Sequence, residues 1–412
     1  MSLFASTGLS AAVLTALQNA GFHTPTPVQS QAIPAALSGK DVIGVARTGT
    51  GKTLAFGLPI LELLNGNTQR ALILVPTREL AIQVEESLNG MLRRLPTNIR
   101  TVCIIGGTSI YNQASQLRRN PRIVIATPGR LRDHVERRNI YLADYSRLVL
   151  DEADRMLDMG FLPEIKRILA ELPAERQTLL FSATFGSDLT QLVAKFMREP
   201  VRVEVSPSGT TATEIKQELC YVEQSGKPKL LRKYLEQHSG PVLVFARTRR
   251  GAGQLKSNLE RDGFQAAEIH SDRTLQQRRA ALNGFKSGRF RILVATDIAA
   301  RGIDVDSIEL VVNYDLPEAA EDYVHRIGRT GRAGKSGLAV SFATHDQYTD
   351  VRDIERLVKL GIPLSDDSEP MQARPSYQDR PRNRRFQRRG NPRHQGGGRQ
   401  GGRSNSGFSA RQ

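Results

Sequence analysis

The chain has 412 residues, 39% of them hydrophobic, and a formal net charge of +16, enough for two or three packed domains. No apolar run approaches the roughly 18 residues that a membrane span requires. The N-terminal stretch MSLFASTGLSAAVLTALQNAG reads as a short amphipathic helix, not a secretory leader. Cys103 and Cys220 lie far apart, without His at metal spacing, and read as buried small hydrophobes. These features predict a cytoplasmic protein with neither a disulfide nor a cysteine-bound metal. The charge is unevenly placed: residues 370–412 hold eleven Arg and one Asp, +10 of the total, which leaves +6 on residues 1–369. That concentration implies a polyanionic partner. Membrane lipid is the weaker candidate, because the basic segment has no amphipathic pattern.

In chain order, apolar runs over residues 41–46, 71–75, 101–105, 122–126, 147–150 and 178–181 read as buried strands. The segments between them carry helical spacing. Near-continuous apolar strands separated by helices mark a parallel sheet covered on both faces. The pattern breaks at VEVSPSGTTATEI, a linker composition, and restarts over residues 241–246, 265–269, 290–295, 308–313 and 337–342. The expectation is an α/β domain over 1–204, a linker over 205–214 and a second α/β domain over 215–365. Residues 366–412, rich in Arg, Gly, Asn, Gln and Ser, predict a disordered tail.

Three segments carry chemistry. Ala46-Arg47-Thr48-Gly49-Thr50-Gly51-Lys52-Thr53 lies between a strand and a helix, where a phosphate-binding loop belongs. Glycines let backbone N–H groups approach phosphate oxygens, Lys52 adds a point charge, and the Thr53 hydroxyl can ligate Mg²⁺. Asp151-Glu152-Ala153-Asp154 follows an apolar strand directly. Beside a phosphate loop, Asp151 would hold Mg²⁺ and Glu152 would orient or deprotonate the attacking water. In the second domain, His325-Arg326-Ile327-Gly328-Arg329-Thr330-Gly331-Arg332 supplies Arg329 and Arg332 as candidate arginine fingers reaching across a cleft.

Taken together, these segments resemble the DEAD-box RNA helicases over essentially residues 1–365. The resemblance implies two tandem RecA-like domains followed by the basic tail, with ATP as cofactor and RNA as partner. It includes Gly21-Phe22 through Pro25-Thr26-Pro27-Val28-Gln29, where the family reads adenine. Gln29 would take the base edge, while Phe4, Phe22 or His23 packs near the ring. Thr48, Gly49, Thr50, Gly51, Lys52 and Thr53 would hold the phosphates, and Asp304 would lie near the ribose. Pro76, Thr77, Arg78, Gly107, Thr127, Pro128, Gly129, Arg130, Arg247 and Thr296 match motifs that line the RNA path. Asp154, Ser182, Thr184 and His325 would couple hydrolysis to strand separation. Two residues depart from the family pattern: Arg47 in the phosphate loop, and Leu275 where a Gln is usual, three residues before Arg278. Arg47 is expected to alter nucleotide affinity and Leu275 to weaken one RNA or interdomain contact. Within the family the chain is most similar to the bacterial RhlE-like branch. Ribosome assembly and RNA decay are both fitting settings for such a protein.

The tail adds Tyr377, Phe386 and Phe408 among its arginines, a composition suited to phosphate attraction and base stacking.

Overall fold

The computed structural model describes residues 3–46, 49–205, 215–300, 305, 308–331 and 337–369, with Ile298 and Ala300 by backbone only. Arg47, Thr48, Asp304, Arg332, most of the linker and the basic tail from residue 370 lie outside the described residues.

The first half folds around a seven-stranded sheet: β1 (Val42–Val45), β2 (Arg70–Leu74), β3 (Thr101–Ile104), β4 (Ile123–Ala126), β5 (Tyr145–Leu150), β6 (Gln177–Ser182) and β7 (Val201–Glu204). Its order is β3-β4-β2-β5-β6-β1-β7, and its ladders are parallel. Parallel neighbours need crossover helices, which cover both faces, so central strands can be apolar on every residue. β2 shows the result: Ala71 and Ile73 join one core cluster, while Leu72 and Leu74 join the cluster on the opposite face. This is the period-two alternation of a strand buried on both sides.

The second half repeats the plan with β8 (Lys216–Tyr221), β9 (Val242–Phe245), β10 (Ala266–Ile269), β11 (Ile292–Ala295), β12 (Leu310–Asn313) and β13 (Leu338–Ala343). Their order is β10-β11-β9-β12-β13-β8, again parallel. Leu243 and Phe245 face one core cluster, and Val242 and Val244 the other. Strand for strand, β8 to β13 occupy the places of β1 to β6, and β7 is an addition at the edge of the first sheet. Both halves are therefore RecA-like α/β domains.

Two strands differ from the sequence reading. β7 and β8 flank the linker and lie at sheet edges. Their sequences, VRVE and KQELCY, mix charged with apolar residues because an edge strand has less surface to bury. The chain also stays engaged past residue 365. The Ser365 amide donates to the Leu219 carbonyl at 2.9 Å and the Glu369 amide to that of Tyr221 at 2.7 Å, laying this stretch along β8.

Residues 1–370 form one compact unit, and the two domains meet inside it. Arg278, on the helix Leu275–Lys286, donates to Glu79, on the helix Arg78–Leu92, at 2.7 Å, and both are buried. Leu275 packs against the core of the first domain. The departure expected to weaken an interdomain contact thus supplies an apolar one. No helix among the described residues is long and apolar enough to cross a membrane.

Candidate active site and RNA-facing surface

β1 ends at Val45 and a helix begins at Lys52, so six residues make the turn between them. Gly49 and Gly51 hold φ of +86° and +89°, a region that side chains disfavour. A Cβ on Gly51 would also collide with the Gln29 amide. Lys52 is buried, and its ammonium donates to the Ala46 carbonyl at 2.9 Å, keeping the charge inside the loop. Thr53 follows it, half-buried, and Thr50 is likewise half-buried.

Gln29 holds this loop from below. Its Nε2 donates to the Gly51 carbonyl at 3.0 Å, and its Oε1 accepts from the Thr26 amide at 2.9 Å. An amide side chain has two N–H groups and two acceptor lone pairs, so one of each remains for a base edge. The three aromatic candidates separate. Phe4 is fully buried in the first domain's core, whereas Phe22 is 43% exposed and His23 is exposed. The ring of Phe4 is sealed into the scaffold, whereas those of Phe22 and His23 are exposed.

Asp151 follows β5 directly, its amide donating to the Leu74 carbonyl at 3.0 Å. The next residue, Glu152, adopts φ +52°, ψ +49°, a left-handed conformation rare for a side-chain-bearing residue and typical of strained functional turns. Its carboxylate meets the Arg155 guanidinium at 2.9 Å, and both side chains are buried. Asp154 is held from β6: its Oδ2 accepts from the Ala183 amide at 3.0 Å, the Thr184 amide at 2.8 Å and the Thr184 hydroxyl at 3.0 Å. The Ser182 hydroxyl accepts from the Asp154 amide at 3.3 Å and donates to the Thr184 carbonyl at 2.7 Å. Asp154, Ser182 and Thr184 thus form one hydrogen-bonded unit.

The second domain completes this centre. Arg329 is buried, and its Nε donates to the His325 carbonyl at 3.2 Å. Burial raises the pKa of Glu152, but Arg155, Lys52 and Arg329 outweigh it and hold the carboxyl below its usual range. For Asp154, burial is likewise overcome by His325, Lys52 and Arg155. His325 is pushed down, by burial first and then by Arg155.

Asp151 goes the other way. Burial, with Glu152 and Asp154 nearby, pushes its pKa up to about 6 despite Lys52. A buried carboxylate that resists ionisation is one that a cation would relieve. Among the described residues no three His, Cys, Asp or Glu side chains form a metal cage, so Asp151 would hold a cation with few protein ligands beside it. That small set suits Mg²⁺, which keeps waters and binds largely through phosphate oxygens.

The linkage has a definite sign. Folded Asp151 binds its proton more tightly than the unfolded residue, so the stability tied to that proton is full below about pH 4. It is lost as the pH rises through about 6. A Mg²⁺ ion held by Asp151 would compete with the proton, so Mg²⁺-nucleotide affinity should weaken below about pH 6, approaching tenfold per unit. A fluorescent ATP analogue titrated from pH 5 to 7.5 reads this out. Asp151→Asn should lack the proton-linked part, and a parallel profile in that variant would remove Asp151 from the cation site.

The RNA candidates fall into two groups. In the first domain, Thr77 caps its helix by accepting from the Leu80 amide at 3.2 Å, with Pro76 buried before it and Arg78 half-buried after it. Arg78 lies under Gly106 and Gly107. Gly107 holds φ +80°, and a Cβ there would strike the guanidinium. Thr127, Pro128 and Gly129 open the helix Pro128–Glu136, and Arg130 ties it to the Gly107 loop by donating to the Thr108 carbonyl at 3.0 Å. In the second domain, Arg247 and Thr296 line a cavity of about 780 Å³ that Asp158 and Met159 of the first domain also border. No hydrogen bond joins the two groups among the described residues.

Three partners escaped the sequence reading: Arg155, Glu79 paired with Arg278, and Arg326. Arg155 was open to discovery, since it lies three residues from Glu152 at the head of a helix, where side chains meet. The other two depend on contacts between distant segments.

Comparison with known proteins agrees with this geometry. The family profile described as DEAD/DEAH box helicase matches residues 26–192, and that of the helicase conserved C-terminal domain matches residues 226–334. The DEAD-box ATP-dependent RNA helicase CshA of Geobacillus kaustophilus is 44% identical over 364 residues, covering 87% of this chain and 77% of that protein. CshA of Bacillus subtilis is 44% identical over 361 residues, covering 86% and 72%. Among solved structures, S. cerevisiae Dbp5 bound to RNA and ADP BeF3 superposes with a TM-score of 0.78 at 30% identity, covering 88% of this chain and 94% of that one. Mss116p bound to ssRNA and AMP-PNP gives 0.80 at 29%, covering 88% and 78%. The chain belongs to the DEAD-box ATP-dependent RNA helicases and is an ATP-hydrolysing enzyme of that family.

Proposed function

We propose that this helicase binds single-stranded RNA without reading its sequence and locally separates short duplexes, remodelling RNA in the cytoplasm. The observation that carries the reading is the composite centre, in which Arg329 and His325 of one domain line a cavity with Arg155 of the other, whose guanidinium meets Glu152 at 2.9 Å. Such a centre is complete only when the domains meet. ATP held by the first domain, and a strand lying across both, would each add contacts made in the closed state and so favour it together. In this reading Lys52, Thr50, Gly51 and Thr53 hold phosphates, and Asp151 and Thr53 would hold Mg²⁺, which when bound would supply charge neutralisation at the phosphates. Glu152 orients the attacking water, Arg329 with Arg332 meets the transferring phosphoryl group, and Asp304 lies near the ribose. Hydroxyls and backbone amides of the Thr77, Gly107, Thr127 and Thr296 loops suit phosphate oxygens and 2′-OH groups better than base edges. A strand bent by the closed domains fits poorly in a duplex, and hydrolysis then releases it.

ATP hydrolysis measured without nucleic acid, with single-stranded RNA and with matched DNA tests the reading. Strong stimulation by RNA alone is the expected result, and equal rates in all three would overturn it. Arg47 and the tail concern affinity. Residues 370–412 carry eleven Arg, so truncation after residue 369 should weaken RNA binding and make log K fall less steeply with log salt. Basal ATP hydrolysis should survive. An unchanged slope would assign the tail another role. The RhlE-like branch remains our subgroup reading, supported by a compact core followed by that basic segment. A setting in ribosome assembly or RNA decay fits the same chemistry.

A further inference from the structure

The shared strand order gives each part of the ATP site a counterpart in the second domain. Gly226 precedes the helix Lys227–Gln237 as Gly51 precedes the helix Lys52–Leu64, and Lys227 is buried as Lys52 is. β12 stands where β5 stands, so Asp315, two residues past its end, is the counterpart of Asp151. Here, however, the lysine meets the carboxylate itself. The Lys227 ammonium donates to Asp315 Oδ1 at 3.1 Å and to the Tyr314 carbonyl at 2.8 Å. The other oxygen, Asp315 Oδ2, accepts from the backbone amide of Arg247 at 3.0 Å. A position that serves nucleotide in one domain anchors an RNA-facing residue in the other.

Arg326 extends this anchor. It is buried and lies over the Phe245 ring at 4.9 Å from the centroid. Its Nη1 donates to the Asp315 carbonyl at 2.6 Å and to Asn313 Oδ1 at 3.2 Å. Its Nε and Nη2 grip Asp297 at 2.5 and 2.7 Å, and Asp297 directly follows Thr296. The same residue belongs to the helix Ala320–Ile327, next to His325 and three residues before Arg329.

We propose that Arg326, braced by the Lys227–Asp315 pair, is the positioning residue that keeps the RNA-facing Arg247 and Thr296 in register with the segment carrying His325 and Arg329. This rests on the RNA path proposed above. A strand that shifts the Arg247 or Thr296 loop moves Asp315 or Asp297, and the rigid guanidinium passes that shift to its own helix. A packed network of this kind moves as a unit, because its members have no slack to absorb a displacement separately. Lysine cannot replace the fork, since a point charge cannot grip a carboxylate on two donors while reaching Asn313 and a carbonyl on others.

The test uses the full chain with Arg326→Lys and, separately, Asp297→Asn, whose side chain is 24% exposed and so less costly to change. For each variant, ATP turnover is followed against single-stranded RNA concentration, alongside affinity for a fluorescent ATP analogue without RNA and the melting temperature. The expected result is at least a tenfold rise in the RNA needed for half-maximal stimulation and at least a tenfold fall in maximal turnover. Analogue affinity should stay within about twofold of native, since the analogue's phosphates are held by the first domain. Native RNA half-saturation in both variants overturns the proposal, and so does a loss of analogue affinity and melting temperature in step with turnover. If Arg326→Lys fails to fold, Asp297→Asn decides alone by the same criteria. A native protein that RNA does not stimulate removes the functional reading and this inference with it, whereas a stimulated native protein with unaffected variants removes only the inference.

Discussion

Glu152→Gln should lower RNA-stimulated ATP turnover by roughly 10²- to 10⁴-fold, the range a positioned general base contributes, while ATP and RNA binding persist. The residue is pinned in three ways. Its backbone is held left-handed at φ +52°, Arg155 grips its carboxylate at 2.9 Å, and three cations keep it ionised against its burial. An ionised carboxylate with one oxygen occupied by Arg155 retains lone pairs to accept a proton from water. Glutamine keeps the shape and an oxygen for Arg155 but has no basic group, so chemistry should fail before folding does. Removing the partner altogether, as in Glu152→Ala, would leave a buried guanidinium unpaired at a cost of about 3–5 kcal/mol, which would confuse loss of catalysis with loss of stability. The measurement is steady-state turnover at saturating RNA, with RNA retention in the presence of ATP as companion. Turnover within tenfold of native would take Glu152 out of the role of base, whatever its effect on binding.

The sequence was most legible where burial is symmetric. Strands such as ALILV and RIVIA are apolar on every residue because helices cover both faces of their sheets, and a composition so lopsided leaves few alternatives. β7 and β8 were missed for the converse reason. At an edge beside a linker, VRVE and KQELCY carry charges that read as loop. The placement of the first domain's candidate residues was equally readable, since the Lys52 loop and Asp151 follow strand ends and Ser182 closes β6, where a parallel sheet gathers its loops. The contacts that bind separate segments were not readable. Nothing local tells Glu79 that it will meet Arg278, 199 residues on, or tells Lys227 that its partner is Asp315 and not a phosphate. Leu275 shows the limit from the other side: a departure judged by residue type suggested a weakened RNA or interdomain contact, whereas its neighbours give it apolar packing against the first domain.

Arg329→Ala should reduce RNA-stimulated turnover by about 10³-fold or more, the scale of arginine fingers, yet leave RNA-independent nucleotide binding close to native. The asymmetry follows from where the groups sit. Gln29, Lys52 and Asp151, the residues proposed to hold nucleotide, all belong to the first domain and would do so whatever the second domain does. Arg329 reaches the centre only from the other domain, held there by its bond to the His325 carbonyl at 3.2 Å. Lysine at this position should rescue little, because a point charge cannot keep that bond and also span two phosphate oxygens. Arg329 also has a second effect with its own signature. It is one of the cations that depress the pKa of Glu152, so its loss should raise that pKa, and the residual activity should lose its low-pH arm first. In the proposed role Glu152 would have to be ionised, and a raised pKa moves the acid limb of the pH–turnover profile to higher pH. A variant that loses turnover with the acid limb unmoved would place Arg329 at the phosphates alone. One that keeps native turnover would mean that the contact between the domains here is structural, with the charge on the transferring group met from elsewhere.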